Sequence, residues 1–153
     1  MEGQHKSRKL PVSIMIRGAY DVGENEPMET ELVTEGFMYK LNGHWYVSYT
    51  ETETTGYDGC ITTLKVGDRQ GQDDPVVTLT RKGSASSHLI MQQGERTLGS
   101  YHVYGNAMEI GVYTKDLEYS FDEAGGRLHL HYTLDMNANL LSENELTIEV
   151  TPV

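Results

Sequence analysis

The sequence predicts an all-β fold of short antiparallel strands joined by tight turns. Apolar and polar side chains alternate every second residue through most of the 153 residues, and helical periodicity is nearly absent. The alternating runs are rich in tyrosine and β-branched residues, which pack well on a pleated sheet. Two dipeptides between such runs, Asn42-Gly43 and Gly125-Gly126, indicate hairpins. Strands and turns of this kind fit either a sandwich or a closed barrel.

The alternation places apolar side chains on one face of each predicted strand. Successive side chains of a strand point to opposite faces, so residues two apart share a face. The clearest runs are Val12, Ile14 and Ile16; Cys60, Thr62, Leu64 and Val66; Met108, Ile110 and Val112; and Leu146, Ile148 and Val150.

Asn42-Gly43 is the stronger hairpin signal, because a two-residue turn of this type requires positive φ at both residues. Centring the turn there predicts the register of the two flanking strands. The predicted pairs are Tyr39 with Tyr46, Met38 with Val47, and Gly36 with Tyr49.

Gly125-Gly126 predicts a second hairpin. A turn centred on these glycines places apolar residues opposite apolar residues, and polar opposite polar. The predicted apolar pairs are Phe121 with Leu130, Tyr119 with Tyr132, and Leu117 with Leu134. The predicted polar pairs are Asp122 with His129 and Ser120 with His131.

Three further segments complete the predicted organisation. Residues 67–75 form a polar surface loop, residues 84–93 a strand, and residues 137–145 a loop that enters the last strand. We expect one domain over residues 1–153, with residues 1–10 as a flexible N-terminal tail.

Composition limits the classes of partner. The formal net charge of −11 repels phosphate backbones, so we expect no nucleic-acid partner. No apolar run approaches the roughly 20 residues that span a bilayer, and we expect no membrane partner. A single cysteine excludes an intrachain disulfide, and the polar N-terminus lacks the apolar stretch of a signal peptide. These features predict a cytoplasmic protein.

Several segments from Glu35 onward together carry a resemblance to a known family. They are residues 36–39, 45–51, 80–83, 109–114, 126–134 and 144–150, with Gly94 and Tyr104. In these segments the chain resembles the YwiB-like family of uncharacterised bacterial proteins. The resemblance covers most of the chain in order, and departs from the family at Tyr104-Gly105-Asn106, where the family more often reads Thr-Pro. It implies a calycin (lipocalin-like) fold, a single closed antiparallel β-barrel of about eight to ten strands. The family has no established catalytic residues, so none is carried over.

Arg81 is the most informative polar residue, because it ends an apolar stripe with Val77 and Leu79. If that stripe faces the barrel lumen, Arg81 projects into the barrel mouth. A partly buried arginine needs a partner. That partner is either an internal carboxylate, in a purely structural pair, or the anionic head of a ligand, as in fatty-acid-binding calycins.

The aromatic residues near the predicted hairpins include Tyr39, Tyr46 and Tyr104. In a small barrel such side chains fill the interior or stack across strands. A second interpretation makes these three tyrosines part of a ligand-binding lumen, together with Arg81.

Other candidate chemistry is weaker. His129 and His131 share one strand face, a spacing used in some zinc sites, but their predicted polar neighbours favour a solvent-facing pair. Glu51 and Glu53 are interpreted as a solvated face. No nucleophile motif or glycine-rich phosphate loop is present, so we expect no enzyme activity, no metal and no cofactor.

Two hypotheses for function remain. The first is a non-enzymatic module that binds a small apolar or amphipathic ligand, and it predicts a lumen cavity of a few hundred Å³. The second is a structural or protein-interaction module whose lumen is filled by side chains, and it predicts an exposed apolar patch instead.

Overall fold

A computed structural model describes residues 8–23, 26–52, 57–68, 74–103 and 105–153. These residues form ten antiparallel strands, and within them no helix is long and apolar enough to cross a membrane. In chain order the strands are β1 (Leu10–Asp21), β2 (Met28–Leu41), β3 (His44–Thr50), β4 (Ile61–Asp68), β5 (Pro75–Lys82), β6 (Ala85–Gln92), β7 (Arg96–Val103), β8 (Asn106–Asp122), β9 (Gly125–Met136) and β10 (Asn139–Pro152).

The ten strands close into one barrel. Each strand pairs with its neighbour in sequence, and β1 pairs with both β2 and β10. Ile14, for example, lies opposite Thr34 on one side and Val150 on the other. The predicted all-β, closed antiparallel barrel is therefore confirmed, at the upper end of the expected strand count.

The β2–β3 hairpin has the predicted register. Asn42 and Gly43 have φ values of 52° and 82°, as their turn type requires. Gly36 lies opposite Tyr49, and a Cβ built on it would stand 2.1 Å from the carbonyl oxygen of Ser48. The glycine is thus needed for close approach of the two strands.

The predicted register of the β8–β9 hairpin is wrong: the turn lies two residues earlier than predicted, and each β8 residue pairs with a β9 residue four positions earlier. The turn is centred on Glu123-Ala124, where the Asp122 carboxylate accepts a hydrogen bond of 2.7 Å from the Ala124 amide. Such an aspartate-stabilised turn competes with the glycine signal. The observed pairs are Asp122 with Gly125, Phe121 with Gly126, Tyr119 with Leu128, and Leu117 with Leu130.

The two glycines of this hairpin directly follow the turn, where Gly125 has a φ of 112° and both allow close strand packing. A Cβ on Gly125 would stand 2.2 Å from the Val150 carbonyl oxygen, and one on Gly126 would stand 2.3 Å from the Phe121 ring. Because the register error is even, every side chain keeps its predicted face. The polar pairs change, however, and His129 lies opposite Glu118 while His131 lies opposite Asp116.

The predictions for the remaining segments were only partly correct. The predicted strand within residues 84–93 is confirmed as β6, but the predicted loop at 137–145 is wrong. A tight turn at Asn137-Ala138, with φ of 53° and 66°, leads directly into β10, which is irregular between Leu140 and Ser142. The predicted tail and the 67–75 loop fall largely on residues 1–7 and 69–73, outside the described residues.

The lumen has two different halves. In one, here called the closed half, inward side chains fill the space and all are at most 3% exposed. In the other, here called the mouth half, the inward residues include tyrosines and charged groups around a cavity. The closed half contains Val12, Met38, Val47, Val66, Val77, Met91, Leu117, Leu128 and Val150.

Candidate functional site

The mouth half holds a cavity of about 440 Å³ inside the barrel. Its deeper walls are aliphatic, and its polar groups converge from β3, β5, β7 and β9. The main aliphatic lining residues are Ile16, Leu32, Leu64, Leu79, Leu89 and Ile148. The main polar lining residues are Tyr49, Glu51, Arg81, Tyr101 and Tyr132.

Arg81 lies on the lumen side of β5, as its alternation with Val77 and Leu79 predicts. Its Nη2 donates to Glu51 Oε2 over 3.1 Å, and the two side chains are only 14% and 1% exposed. Thr62 donates a second hydrogen bond to the same oxygen over 2.5 Å. Of the two partners that the sequence left open for Arg81, the structure contains the internal carboxylate.

The backbone around Glu51 positions its carboxylate. The Glu51 amide donates to the Cys60 carbonyl over 2.7 Å, and its carbonyl accepts from the Gly59 amide over 3.1 Å. These bonds extend the β3–β4 pairing beyond the last residue of β3. Tyr57 precedes this turn, and its ring centroid lies 4.0 Å from the Arg81 guanidinium carbon. The guanidinium is therefore held by a carboxylate and a ring face at once.

Glu51 is the residue of the candidate site that the sequence interpretation missed. A solvated face was expected, and the 3% exposure of Glu51 contradicts it, while Glu53 lies outside the described residues. The two-residue alternation indicates the inward position, because Glu51 continues the inward series of Val47 and Tyr49. Carboxylates are seldom fully buried unless they are paired, and for that reason the sequence interpretation assigned Glu51 to solvent despite the alternation.

Three tyrosines surround the ion pair, and each is held in its protonated form. Burial raises the pKa of Tyr49, and the nearby Glu51 carboxylate raises it further. Burial, and then Tyr57, raise the pKa of Tyr101. Burial, with a smaller effect of Tyr101, raises the pKa of Tyr132 to about 12. Their hydroxyls consequently act as neutral hydrogen-bonding groups at neutral pH.

Two buried polar atoms beside the ion pair have no hydrogen-bond partner in the described part of the chain. They are Arg81 Nε and Ser87 Oγ. Ser87 lies directly opposite Arg81 on one side and Tyr101 on the other. A buried polar atom without a partner costs about 1–3 kcal/mol, so both atoms favour a water or ligand beside them.

Tyr39 and Tyr46 do not line the lumen, which corrects the prediction made for them. Their rings stack on the outer wall, with centroids 5.0 Å apart and planes 2° apart. The inward neighbours Met38 and Val47 show why, because alternate residues of a strand face opposite ways. Tyr104, the third predicted lining tyrosine, lies outside the described residues.

His129 and His131 lie on the outer wall of β9, where they alternate with inward Leu128 and Leu130. His129 Nδ1 is 2.9 Å from Thr147 Oγ1, and His131 Nε2 is 2.6 Å from Glu143 Oε2. The His131 hydrogen bond, and then Lys115, lower the pKa of Glu143. Across the described ranges, no three histidine, cysteine or acidic side chains form a potential metal site.

Comparison with known proteins gives the family. The chain belongs to the family described as "Domain of unknown function (DUF1934)", whose model matches residues 14–148. It is 21% identical over 141 residues to the "Uncharacterized beta-barrel protein YwiB" of Bacillus subtilis (strain 168), covering 92% of this chain and 93% of that protein. The resemblance found in the sequence is thereby confirmed.

The fold also matches a solved structure, described as "Crystal structure of ywiB protein from Bacillus subtilis". The TM-score is 0.81, with 20% identity over 97% of this chain and 95% of that chain. This similarity shows the shared barrel, and neither protein description includes an activity or a ligand.

Proposed function

We propose that this member of the DUF1934 family is a non-enzymatic barrel that binds a small amphipathic molecule in the mouth half. The observation that carries the proposal is the cavity itself. Its volume of about 440 Å³ falls in the range of small-molecule sites, roughly 300–1,000 Å³. Aliphatic walls with a few convergent polar groups are typical of such sites. A lumen filled throughout by side chains would leave no cavity of this size.

Exposed apolar side chains at the same end of the barrel support ligand entry there. β1 ends and β2 begins at this end, as do the β9–β10 turn and the start of β8. Val22, Met28, Met108 and Leu140 lie at these positions and are 54%, 56%, 40% and 66% exposed. Apolar surface around an opening lowers the cost of passing an apolar chain into it.

The same proposal includes a cytoplasmic location and a calycin type of barrel. A closed antiparallel barrel of this size that holds one small ligand is the calycin arrangement, as in lipocalins. Cys60 is buried and unpaired, in keeping with a reducing cytoplasm. The net charge of −11 supports a protein that does not bind nucleic acid.

Native mass spectrometry of the protein purified from its own host tests the proposal. We expect a fraction of the protein to carry a co-purified small molecule. Leu146→Trp places a large side chain into the cavity and should abolish retention, since Leu146 lines it. Leu98→Trp is the matched control, because Leu98 is 57% exposed. An empty barrel that also shows no heat of binding with amphiphiles would refute the proposal.

A further inference from the structure

The charged groups that the described residues place around the cavity carry no net positive charge for a ligand. Among the described lining residues these groups are Glu31, Glu51 and Arg81. Arg81 and Glu51 neutralise each other at 3.1 Å. Glu31, 63% exposed at the mouth, contacts Arg17 at 3.3 Å. An anionic headgroup would therefore meet a neutral pair and a carboxylate.

Bringing a second carboxylate to Arg81 is unfavourable for two reasons. Two carboxylates would then share one guanidinium in a poorly solvated site, where like charges repel strongly. The whole molecule, at −11, also repels anions before they reach the mouth. The buried Glu51 side chain, 1% exposed, cannot be screened by solvent.

Each hydrogen-bonding group that remains beside the ion pair can donate, and one of them can only donate. Arg81 Nε, the donor-only group, and Ser87 Oγ are buried without a partner in the described ranges. Tyr101 and Tyr132 line the same cavity and are protonated at neutral pH, as a tyrosine of ordinary pKa is, and burial raises the pKa of both further. A hydroxyl can donate or accept, but the Arg81 N–H needs an acceptor, so an oxygen acceptor is a partner that suits every one of these groups.

We infer that the ligand is an amphiphile whose polar end is an uncharged hydrogen-bond acceptor, such as an amide, ester or alcohol. This inference rests on the proposed function and specifies its ligand class. The aliphatic chain lies against the deeper walls formed by Leu64, Leu79 and Leu89, and the acceptor atom lies near Arg81. Glu51 acts as the specificity determinant, because it cancels the charge that would recruit a fatty acid.

Calorimetric titration with three probes of equal chain length tests the inference. The probes are decanamide, decanoate and decylamine, at neutral pH and below their aggregation limits. We expect decanamide to bind at least about tenfold more tightly than either charged probe, a difference within reach of one unbalanced buried charge. Decanamide and decanoate differ only in the charge and hydrogen-bonding of the head, so their affinity ratio isolates the effect of headgroup charge.

Glu51→Gln then reverses the preference. The glutamine keeps the shape of the side chain and removes its charge, so Arg81 becomes able to pair with decanoate. Decanoate affinity should rise at least about tenfold, while decanamide affinity changes by less than about threefold. Glu35→Gln is the control, because Glu35 is exposed on the outer wall of β2 and its substitution removes the same single negative charge. It should leave both affinities unchanged.

The outcomes separate the inference from the proposed function. A wild-type protein that binds decanoate or decylamine most tightly overturns the inference and leaves the binding function in place. A protein that binds none of the probes overturns both. Should Glu51→Gln fail to fold, the wild-type affinity ratio decides alone.

Discussion

The closed half and the mouth half of the barrel belong to the same ten-stranded sheet, but their lumens are filled to different degrees. In the closed half, valine, leucine and methionine side chains fill the interior and are almost fully buried. In the mouth half, tyrosines and one ion pair surround about 440 Å³ of empty space. The filled core therefore lies at one end of the barrel and the cavity at the other. The difference shows that the lumen side chains, and not the strand count, decide whether a barrel encloses a cavity.

Removal of the buried carboxylate should have the largest effect on stability. Glu51→Ala leaves the Arg81 guanidinium without its partner, which costs about 3–5 kcal/mol in comparable buried pairs. Urea unfolding measures this change, and Glu35→Ala on the outer wall should alter the free energy of unfolding by less than about 0.5 kcal/mol. The double change Glu51→Leu with Arg81→Met should recover most of the loss. A loss below about 1 kcal/mol for Glu51→Ala would show that the pair does not organise the mouth half.

Matched leucines compare the two halves directly. Leu128 is fully buried in the closed half, whereas Leu146 lines the cavity and is only partly buried. Leu128→Ala should cost about 2–5 kcal/mol, because it opens a void in a filled core. Leu146→Ala should cost less than about 2 kcal/mol, since its side chain already borders empty space. Equal losses in chemical unfolding would remove the distinction between the halves.

Alkaline pH should destabilise the mouth half selectively. The raised pKa of Tyr132, about 12 against 10 for a free tyrosine, means that the unfolded chain releases the proton first. This contribution is complete below pH 10 and is lost as pH rises to about 12, roughly 2–3 kcal/mol in all. Tyr132→Phe should flatten the decline in unfolding free energy above pH 10, whereas Tyr113→Phe on the exposed wall should not. Parallel profiles for the two variants would argue against a buried, protonated Tyr132.

The turns at the two ends should both favour glycine where φ is positive, but only one of them has it. Asn42-Gly43 already has glycine where φ is positive, but the Asn137-Ala138 turn at the mouth holds alanine at φ of 66°. Ala138→Gly should therefore stabilise the protein by about 1 kcal/mol, and Gly43→Ala should destabilise it by a similar amount. Thermal unfolding checks both changes. A destabilising Ala138→Gly would show that chain entropy outweighs the relief of strain there.

The sequence predicted features that depend on neighbouring residues, such as a turn, better than it predicted which residues pair across strands. The β2–β3 register followed from Asn42-Gly43, because that dipeptide specifies the turn on its own. The β8–β9 register did not follow from Gly125-Gly126, because those glycines contact the Val150 carbonyl and the Phe121 ring. Similarly, Arg81 was predicted to face the lumen, but its partner Glu51 was assigned to solvent. A glycine or carboxylate has several possible uses, and only its contacts distinguish them.

The sequence by itself determined most of the strands, the alternation of side chains between the two faces of each strand, and the family resemblance that implied a closed barrel. These features depend on a period of two residues and on turn chemistry, both of which are local. Only the tertiary structure decided where the lumen is filled, which carboxylate meets Arg81, and which tyrosines surround the cavity. The physical reason is that these contacts join residues far apart in the sequence, 30 residues apart in the case of Glu51 and Arg81. Side-chain size and charge act between such residues only after the barrel has closed.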